Sequence, residues 1–318
     1  MIGRPSLSII LAYYIVLGTF FYAFTVYGQK HVRAIRIFVL LFILFISYLV
    51  LDNRASNELE VVFLDVGQGE AIVIIKNNET YIIDGGGHRL HEIGRSTGSN
   101  ILIPFLEYRG ISTINTVFVT HEDADHMLGI VELIGQKNIN KIYTTIGLNT
   151  NYHLSQELIN RAYDHNIPIE FISAGRQFLS ESGIHLEVLY PFYGTFFRTI
   201  NSTSIVLRLT YNNVSFLFTA DIDQISELDL IGSGANIQAH VLNVSHHGSR
   251  FSSNPYFIDA VAPVVAVVSA GVGNQFSHPA PCVVNEFYIR NIPLYNTMYN
   301  GTITIKTNGN RLSINTSK

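Results

Sequence analysis

The sequence predicts an α/β fold in which two β-sheets pack face to face between outer helices, preceded by two transmembrane helices. Apolar segments typical of strands alternate with helical patterns from residue 57 to the end of the chain, which indicates a layered α/β domain. Ligand-type side chains follow several of these predicted strands, so we expect one edge of the sheets to gather them. The first 51 residues differ in kind, because they contain two long apolar segments and no Asp or Glu.

The two apolar segments are candidate membrane spans. Leu7–Tyr27 has no charged residue, and Ala34–Leu51 is interrupted only by Arg36. Each approaches the ~20 residues needed to cross a bilayer, and buried core helices are the alternative interpretation. Lys30, Arg33 and Arg36 lie in or beside the connection between them. Because positive charge marks the cytoplasmic side, we expect this connection inside the cell and both ends of the chain outside.

Composition agrees with this division of the chain. We expect residues 1–56 to form a membrane segment and residues 57–318 to form a folded domain on the extracytoplasmic side of the cell membrane. Hydrophobic residues make up 47% of the chain and charged residues only 14%, which favours membrane attachment. Cys282 is the single cysteine, so an internal disulfide and a multi-cysteine zinc site are both excluded.

The elements of the domain are predicted from apolar periodicity, glycine and turn residues. Strands are expected at Glu60–Val66, Ala71–Lys76, Tyr81–Asp84, Thr116–Thr120, Ile139–Tyr143, Ile184–Leu189, Ser204–Thr210, Val214–Thr219, His240–Val244 and Val264–Ser269, with a closing strand pair in Thr297–Thr307. Helices are expected at Asn100–Arg109, from Asp125 to Gly135, and at Ser155–His165, Ile225–Leu230 and Cys282–Arg290.

The segment Thr120–His126 is the strongest functional signal. It places His121, Asp123, Asp125 and His126 directly after a predicted strand, with Asp125 and His126 opening the next helix. Buried charge without a partner is costly, whereas a divalent cation supplies the missing positive charge. A solvated polar turn is the alternative for any one of these residues. Four ligand-type residues within six positions instead predict a metal site.

Three further groups of polar residues follow predicted strands. Asp84 precedes three glycines, so the backbone there can approach another element closely. Asp221 lies beyond the strand Val214–Thr219, and His246 with His247 follows the strand His240–Val244. We expect these residues to join the metal loop at one edge of the sheets.

Together these motifs resemble the metallo-β-lactamase superfamily, and within it the extracellular hydrolase domain of ComEC-type competence proteins. The residues that carry the resemblance are Leu64–Gly69, Asp84–Gly87, Thr120–His126, Asn201–Leu207, Phe218–Asp221, Ser245–Ser249 and His278-Pro279. The resemblance covers roughly Leu59 to Thr307. It implies a metallo-β-lactamase-like αββα sandwich with two divalent metal ions, Zn or Mn.

The resemblance also implies a set of ligands. The expected metal ligands are His121, Asp123, Asp125, His126, Asp221 and His247, with Asp221 bridging the two ions. His247 is favoured over His246 because it directly precedes glycine, but the opposite assignment is nearly as well supported. Asp125, Asp221 and His246 are the expected catalytic residues. Asp84, Asn201, Ser249 and His278 are expected to support the ligands or the substrate.

The chain departs from the family pattern at several positions. Asp123 stands where many members have histidine, and a further histidine of the first site is not evident. This implies a first site that is either weak or filled only when substrate is present. The oxygen-rich set shifts the expected preference from zinc toward manganese. Glu70 stands where the family usually has Asp, and Ala280 where a second histidine is common.

The resemblance implies metal-assisted hydrolysis, and the first hypothesis is a phosphodiesterase or nuclease acting on DNA at the outer membrane surface in competence-like DNA uptake. The expected partners are the membrane, DNA and a separate or missing channel portion. One alternative is hydrolysis of a small or surface-attached ester, such as a phosphorylcholine ester or a lactone. Another is a non-catalytic, membrane-anchored subunit that binds DNA or a channel.

Net charge weighs against the first hypothesis. Four of the 20 basic residues precede Asp52 and all 24 acidic residues lie at or after it, so the formal charge of that part is 16 − 24 = −8. Nucleic-acid binding usually relies on a basic surface. Arg89, Arg95 and Arg250 lie near the motif loops, and they are either solvated loop arginines or a local phosphate site.

Overall fold

The computed structural model describes residues 7–27, 38–40, 42–43, 45, 58–87 and 97–318. Helix α1 covers Leu7–Tyr27, the same residues as the first predicted membrane span, and only part of its side chains are described. Most of the second predicted span, Ala34–Leu51, lies outside the described residues. Within the described residues, no helix is both long and apolar enough to cross a membrane. The membrane crossing therefore stays a prediction.

The domain contains two main sheets and one short strand pair. Its strands are β1 (Leu59–Phe63), β2 (Ile72–Lys76), β3 (Glu79–Ile83), β4 (Thr113–Ile114), β5 (Thr116–Val119), β6 (Asn138–Ile139), β7 (Ile142–Thr145), β8 (Ile169–Ile172), β9 (Gln177–Leu179), β10 (His185–Tyr190), β11 (Val206–Tyr211), β12 (Val214–Phe218), β13 (Val241–Asn243), β14 (Val265–Val268), β15 (Leu294–Asn296), β16 (Ile303–Thr307) and β17 (Leu312–Thr316).

The helices of the domain are short. They are α2 (Ile103–Tyr108), α3 (Ala124–Leu133), α4 (His153–Asp164), α5 (Gln224–Gly232), α6 (Pro255–Val261), α7 (Pro281–Ile289) and α8 (Thr297–Asn300). A π-helical turn at Gly98–Leu102 leads into α2, and 3₁₀ turns cover Asn201–Thr203 and Ser245–Gly248.

The strand order gives two sheets that face each other. The first sheet has the order β17-β16-β1-β2-β3-β5-β7-β8, and the second has the order β15-β14-β13-β12-β11-β10-β9. Strands β3, β5, β7 and β8 run parallel in the first sheet. Strands β12, β13, β14 and β15 run parallel in the second. Parallel neighbours end at the same edge, which is where the polar motifs occur.

Three apolar clusters define four layers. Phe63, Phe118, Phe216 and Phe218 belong to the cluster between the two sheets. A second cluster joins the outer face of the first sheet to α2, α3 and α4, and a third joins the outer face of the second sheet to α5, α6 and α7. Both faces of the central strands are buried, which explains their nearly continuous apolar sequences. The predicted α/β sandwich with outer helices is confirmed.

Most predicted elements are present with shifted ends, but one prediction was wrong in kind. The segment Thr297–Thr307 was expected to form a strand pair, but its first part is α8, where the Asn296 side chain accepts a hydrogen bond from the Met298 amide (2.9 Å). The closing pair is instead β16 with β17. The strand expected at His240–Val244 is only Val241–Asn243. Because the backbone turns after Val244, His246 and His247 do not lie on an extended strand.

Candidate metal centre

The polar motifs converge because each follows the carboxyl end of a parallel strand. Asp84 follows β3, His121 follows β5, Asp221 follows β12, and His246 with His247 follows β13. Ligand sites in open parallel sheets form outside these carboxyl ends. The two sheets therefore supply opposite walls of one polar cluster.

Helix α3 packs directly against the loop that contains Asp84. The Gly85 amide donates to the His126 carbonyl (2.7 Å), and the Gly129 amide donates to the Gly86 carbonyl (2.8 Å). A Cβ atom at Gly129 would overlap the Gly85 carbonyl oxygen. Glycine at both positions therefore allows the first turn of α3, with Asp125 and His126, to approach Asp84.

Asp84 organises this wall of the site. The carboxylate is fully buried and accepts from the Thr120 amide (2.8 Å) and the Thr120 hydroxyl (2.6 Å). The same carboxylate lies 2.7 Å from His126 Nδ1. A carboxylate can only accept, so His126 carries its proton on Nδ1 and presents the lone pair of Nε2 to the cluster.

The other two buried histidines are oriented in the same way. His247 Nδ1 lies 2.9 Å from the Ser269 carbonyl, which can only accept. His121 Nδ1 lies 3.0 Å from the Thr120 hydroxyl, whose proton is already donated to Asp84. Each ring is therefore bonded through Nδ1, and each Nε2 is left for the site.

The free nitrogens and the carboxylates lie close together. His126 Nε2 is 3.2 Å from Asp221 Oδ1 and 3.4 Å from His247 Nε2. His247 Nε2 is 3.4 Å from Asp125 Oδ2 and 3.6 Å from Asp221 Oδ1. Asp125, His126 and His247 each offer a ligand atom within 4.8 Å of the others. This donor set suits a divalent cation such as zinc or manganese.

A second group of donors includes His121. Its Nε2 is buried with no hydrogen-bond partner among the described residues and lies 3.9 Å from Asp123 Oδ2. An unpartnered buried nitrogen that faces a carboxylate is costly unless something else binds there. A cation held by His121 and Asp123, close to Asp221, would satisfy it. His121 and Asp123 therefore offer further donors beside the set of Asp125, His126 and His247.

Electrostatics point to the same need for positive charge. Burial acts against positive charge on His126 and His247. For His126 the carboxylates of Asp221 and Asp84 outweigh this effect, and for His247 those of Asp221 and Asp125 do. The result raises the pKa of His126 well above its usual value and that of His247 to about 9. Burial also opposes charge on Asp221, yet the surrounding histidines hold its pKa well below the usual range. For His121, burial and the neighbouring His126 lower the pKa.

His246 and His247 occupy different surroundings. Both have left-handed backbone angles, with φ of 51° and 55°, a conformation that costs energy in non-glycine residues. The His247 side chain is 2% exposed and that of His246 is 25% exposed. His246 Nε2 lies 3.7 Å from Asp221 Oδ2 and 3.0 Å from Asn201 Nδ2. Although these residues do not lie on an extended strand, one histidine is interior and the other borders solvent.

The remaining predicted site residues occupy the open side. The His278 ring packs near His246 and His247, with centroids 5.6 Å and 6.4 Å apart, and its Nδ1 is buried without a hydrogen-bond partner among the described residues. Ser249 is buried, and its amide donates to the His246 carbonyl (2.8 Å), which closes the histidine turn. Of the three candidate phosphate-site arginines, Arg250 is exposed, while Arg89 and Arg95 lie outside the described residues.

Two buried glutamates are not ligands themselves but bond to segments that carry or border the ligands. Glu70 accepts from Asn243 Nδ2 (2.8 Å), which joins the two sheets beneath the cluster, and burial raises its pKa to about 7. Glu227 on α5 accepts from the Ser245 hydroxyl and from two backbone amides. Sequence analysis noted Glu70 only as a departure from the family. It missed Glu227, because a glutamate in an amphipathic helix carries no local signal of burial.

The sequence of this chain matches a known protein family and several known proteins. A model of the metallo-beta-lactamase superfamily matches residues 64–272. ComE operon protein 3 of Bacillus subtilis (strain 168) is 29% identical over 258 residues, covering 78% of this chain and 33% of the relative. Competence protein ComA of Neisseria gonorrhoeae is 27% identical over 266 residues, covering 83% of this chain and 34% of the relative. The chain thus spans about a third of the length of these relatives.

Solved structures agree on the fold. The metallo-beta-lactamase fold protein YhfI from Bacillus subtilis superposes with a TM-score of 0.52 at 12% identity, covering 77% of this chain and 99% of that one. CmlA, a diiron beta-hydroxylase from Streptomyces venezuelae, superposes with a TM-score of 0.50 at 13% identity, covering 78% of this chain and 54% of that one. At such low identity these likenesses show the fold alone.

Proposed function

Because this chain belongs to the metallo-beta-lactamase superfamily and is a metal-dependent hydrolase of that family, we propose that it is a phosphodiesterase that cleaves DNA. Its action would take place at the outer face of a cell membrane, beside a channel that imports DNA. The observation that carries the proposal is the buried cluster of Asp125, Asp221, His126 and His247, which fits a divalent cation. The similarity to proteins named for competence supports DNA as the substrate.

In the proposed reaction, some residues would bind the metal ions and His246 would transfer a proton. When bound, divalent cations would lower the pKa of a water molecule and offset charge on the attacked phosphoryl oxygen. Asp84 and the Ser269 carbonyl hold His126 and His247 in one tautomer, so these rings need no reorganisation. His246 lies on the open side next to Asp221, where it can pass a proton to the leaving oxygen. Asn201 keeps the His246 ring in place.

Hydrolysis of a small ester is the second candidate, and the acidity of the domain favours it. A formal charge of −8 after residue 51 repels a polyanion over a distance of about one Debye length. Bound cations would offset only about half of that charge. A phosphorylcholine ester or a lactone would meet less repulsion than DNA. A non-catalytic DNA- or channel-binding role is disfavoured, because a binding surface has no need of buried, oriented ligands.

A substrate panel on the full chain in detergent micelles tests these alternatives. We expect cleavage of single-stranded DNA and bis-p-nitrophenyl phosphate with manganese or zinc, and little turnover of p-nitrophenyl phosphorylcholine or a lactone. Turnover of the last two alone would instead establish the small-ester function. Inactivity on all four at full metal occupancy would support the binding role.

Substitution of the central carboxylates provides the matched test of mechanism. We expect Asp125→Ala and Asp221→Ala to abolish hydrolysis, because each removes a negatively charged candidate ligand: Asp125 Oδ2 lies 3.4 Å from His247 Nε2, and Asp221 Oδ1 lies 3.2 Å from His126 Nε2. Both should keep the fold, since the sheets bury their apolar faces without these side chains. Asp229→Ala, on the exposed face of α5, is the control and should retain wild-type rates. Wild-type turnover by either active-site variant would exclude the proposed centre.

A further inference from the structure

A cavity of about 620 Å³ lies directly beside the candidate metal centre. Loop residues from Gly273 to Pro279 form one side, and α7, β15 and α8 form the other. His278 belongs to both places, because it lines the cavity and its ring also packs near His246 and His247. A substrate bound at the centre would therefore extend into this space. Its volume lies within the roughly 300–1,000 Å³ of small-molecule sites.

The cavity lining carries no Asp, Glu, Lys or Arg in the described part of the chain. An anionic group such as a second phosphate would find no countercharge there. A quaternary ammonium would also lack partners, since such groups need a carboxylate or several aromatic rings and Tyr299 is the one Phe, Tyr or Trp in the described lining. The lining suits a neutral, flat group that is partly apolar and partly polar.

Flat side chains are placed to stack with such a group. The His278 ring is already stacked with Phe276 at a centroid distance of 5.6 Å and an interplanar angle of 26°. Tyr299 of the lining is 73% exposed, and Phe276, which stacks on His278 from outside the lining, is 52% exposed. Val284 and Met298 add apolar contacts inside. Exposed rings that border a catalytic centre are the usual stacking platform for unpaired bases.

From these features we propose that the cavity binds the nucleobase next to the scissile phosphodiester. The inference rests on the proposed phosphodiesterase function and adds the part of the substrate that is recognised. Binding through a base and not through phosphates explains how an acidic domain can select a nucleic acid without a basic surface. It also favours single-stranded substrate, because a paired base must first leave its stack, at a cost in free energy, to enter the cavity.

A pair of oligomers that differ only in their bases tests the inference. One is a thymidine oligomer about ten units long, and the other is the same sugar-phosphate backbone with abasic tetrahydrofuran units. We expect the full wild-type chain, loaded with manganese, to cleave the thymidine oligomer about 5- to 150-fold faster, the range typical of one stacked base. Fluorescence anisotropy in EDTA, where cleavage stops, should show the same preference in binding.

Two variants connect the preference to the cavity. Val284→Trp fills the space from an exposed position on α7, and Tyr299→Ala removes an exposed ring without adding volume. Both should bring the ratio of the two cleavage rates close to one. Tyr288→Trp is the control, because Tyr288 lies one turn further along α7, is 80% exposed and is not part of the lining. It should keep the wild-type ratio.

The outcomes separate the two proposals. Equal cleavage of both oligomers by the wild type, or an unchanged ratio in Val284→Trp and Tyr299→Ala, would overturn base recognition while leaving the phosphodiesterase function intact. Failure of the wild type to cleave either oligomer with any divalent metal would overturn the phosphodiesterase function and this inference with it.

Discussion

Each buried histidine of the candidate centre is bonded through Nδ1 to a group of the protein itself. The acceptors are the Asp84 carboxylate, the Thr120 hydroxyl and the Ser269 carbonyl. Since the rings are oriented before any ligand arrives, binding of a cation costs little side-chain entropy. The same bonds raise the basicity of the free nitrogens, which strengthens a bond to a metal.

Substitution of Asp84 by Asn isolates the effect of this orientation. Asp84 has a φ of 56°, and asparagine tolerates that conformation well, so the backbone should not change. The new NH₂ group must take the place of one carboxylate oxygen and then faces one or two donors, so at least one of the bonds to Thr120 or His126 is lost. We expect metal affinity to fall about 10- to 100-fold, measured by competition with a chromophoric chelator. Asp259→Asn, at an exposed surface ion pair, is the control.

The histidine pair gives a second prediction at this scale. His247 is interior and lies near Asp125 and Asp221, so His247→Ala should reduce metal content at the site of Asp125 and His126. His246 borders solvent, so His246→Ala should keep the metal and slow turnover by ~10²–10⁴-fold if it donates a proton. Elemental analysis of both purified variants decides the assignment. Loss of metal from His246→Ala alone would reverse it.

At the scale of elements, Glu227 joins three of them. It lies on α5, accepts from Ser245 just before the histidine pair (3.0 Å), and accepts from the amides of Ser253 (2.7 Å) and Asn254 (2.7 Å) at the start of α6. The 3₁₀ turn that carries His246 and His247 is therefore held by a neighbouring helix as well as by its own backbone. This support explains how two adjacent non-glycine residues can keep left-handed angles.

Glu227 also predicts a pH dependence. Burial, the largest effect, raises its pKa from 4.5 to about 7, so the protonated form is favoured in the folded state. The resulting stabilisation is fully present below pH 4.5 and is lost as pH rises through about 7, at a cost of about 3 kcal/mol. Glu227→Gln cannot lose a proton, so we expect its free energy of unfolding, relative to wild type, to rise across this pH window. A constant difference in denaturant titrations at several pH values would contradict the assignment.

The elements show which features could be predicted from sequence. The motif Thr120–His126 follows a strand because β5 is buried on both faces and reads as an apolar segment, and α3 begins at Ala124. The left-handed angles of the turn at Ser245–Gly248 could not be predicted for its two histidines, because the glycine that follows them marks only the end of the turn. Contacts between the sheets, such as Asn243 with Glu70, depend on residues far apart in the chain. No local pattern indicates them.

At the scale of the whole molecule, the centre lies where the two halves of the sandwich meet. Asp84 and His121 follow strands of the first sheet, His126 lies on α3, which packs against that sheet, and Asp221 and His247 follow strands of the second sheet. Bound cations would therefore cross-link the two sheets at their common edge, as Glu70 and Asn243 already do beneath it.

A cysteine of the chain can report on which side of the membrane the candidate metal centre lies. Cys282 is the single cysteine, and it is exposed on α7. If Leu7–Tyr27 and Ala34–Leu51 cross the membrane with the basic connection inside, this thiol lies outside the cell. A membrane-impermeant maleimide added to intact cells, after removal of any outer layer, should then label it. No permeabilisation should be needed.

A matched variant reports the other side of the membrane. In Cys282→Ser with Gln29→Cys, the thiol moves into the connection between the two apolar segments. It should react only after the cells are made permeable, because three basic residues hold that connection on the cytoplasmic side. Labelling of Gln29→Cys on intact cells, together with protection of Cys282, would show that the domain faces inward. In that orientation the centre would meet DNA only after its import, and a role at the outer surface would be excluded.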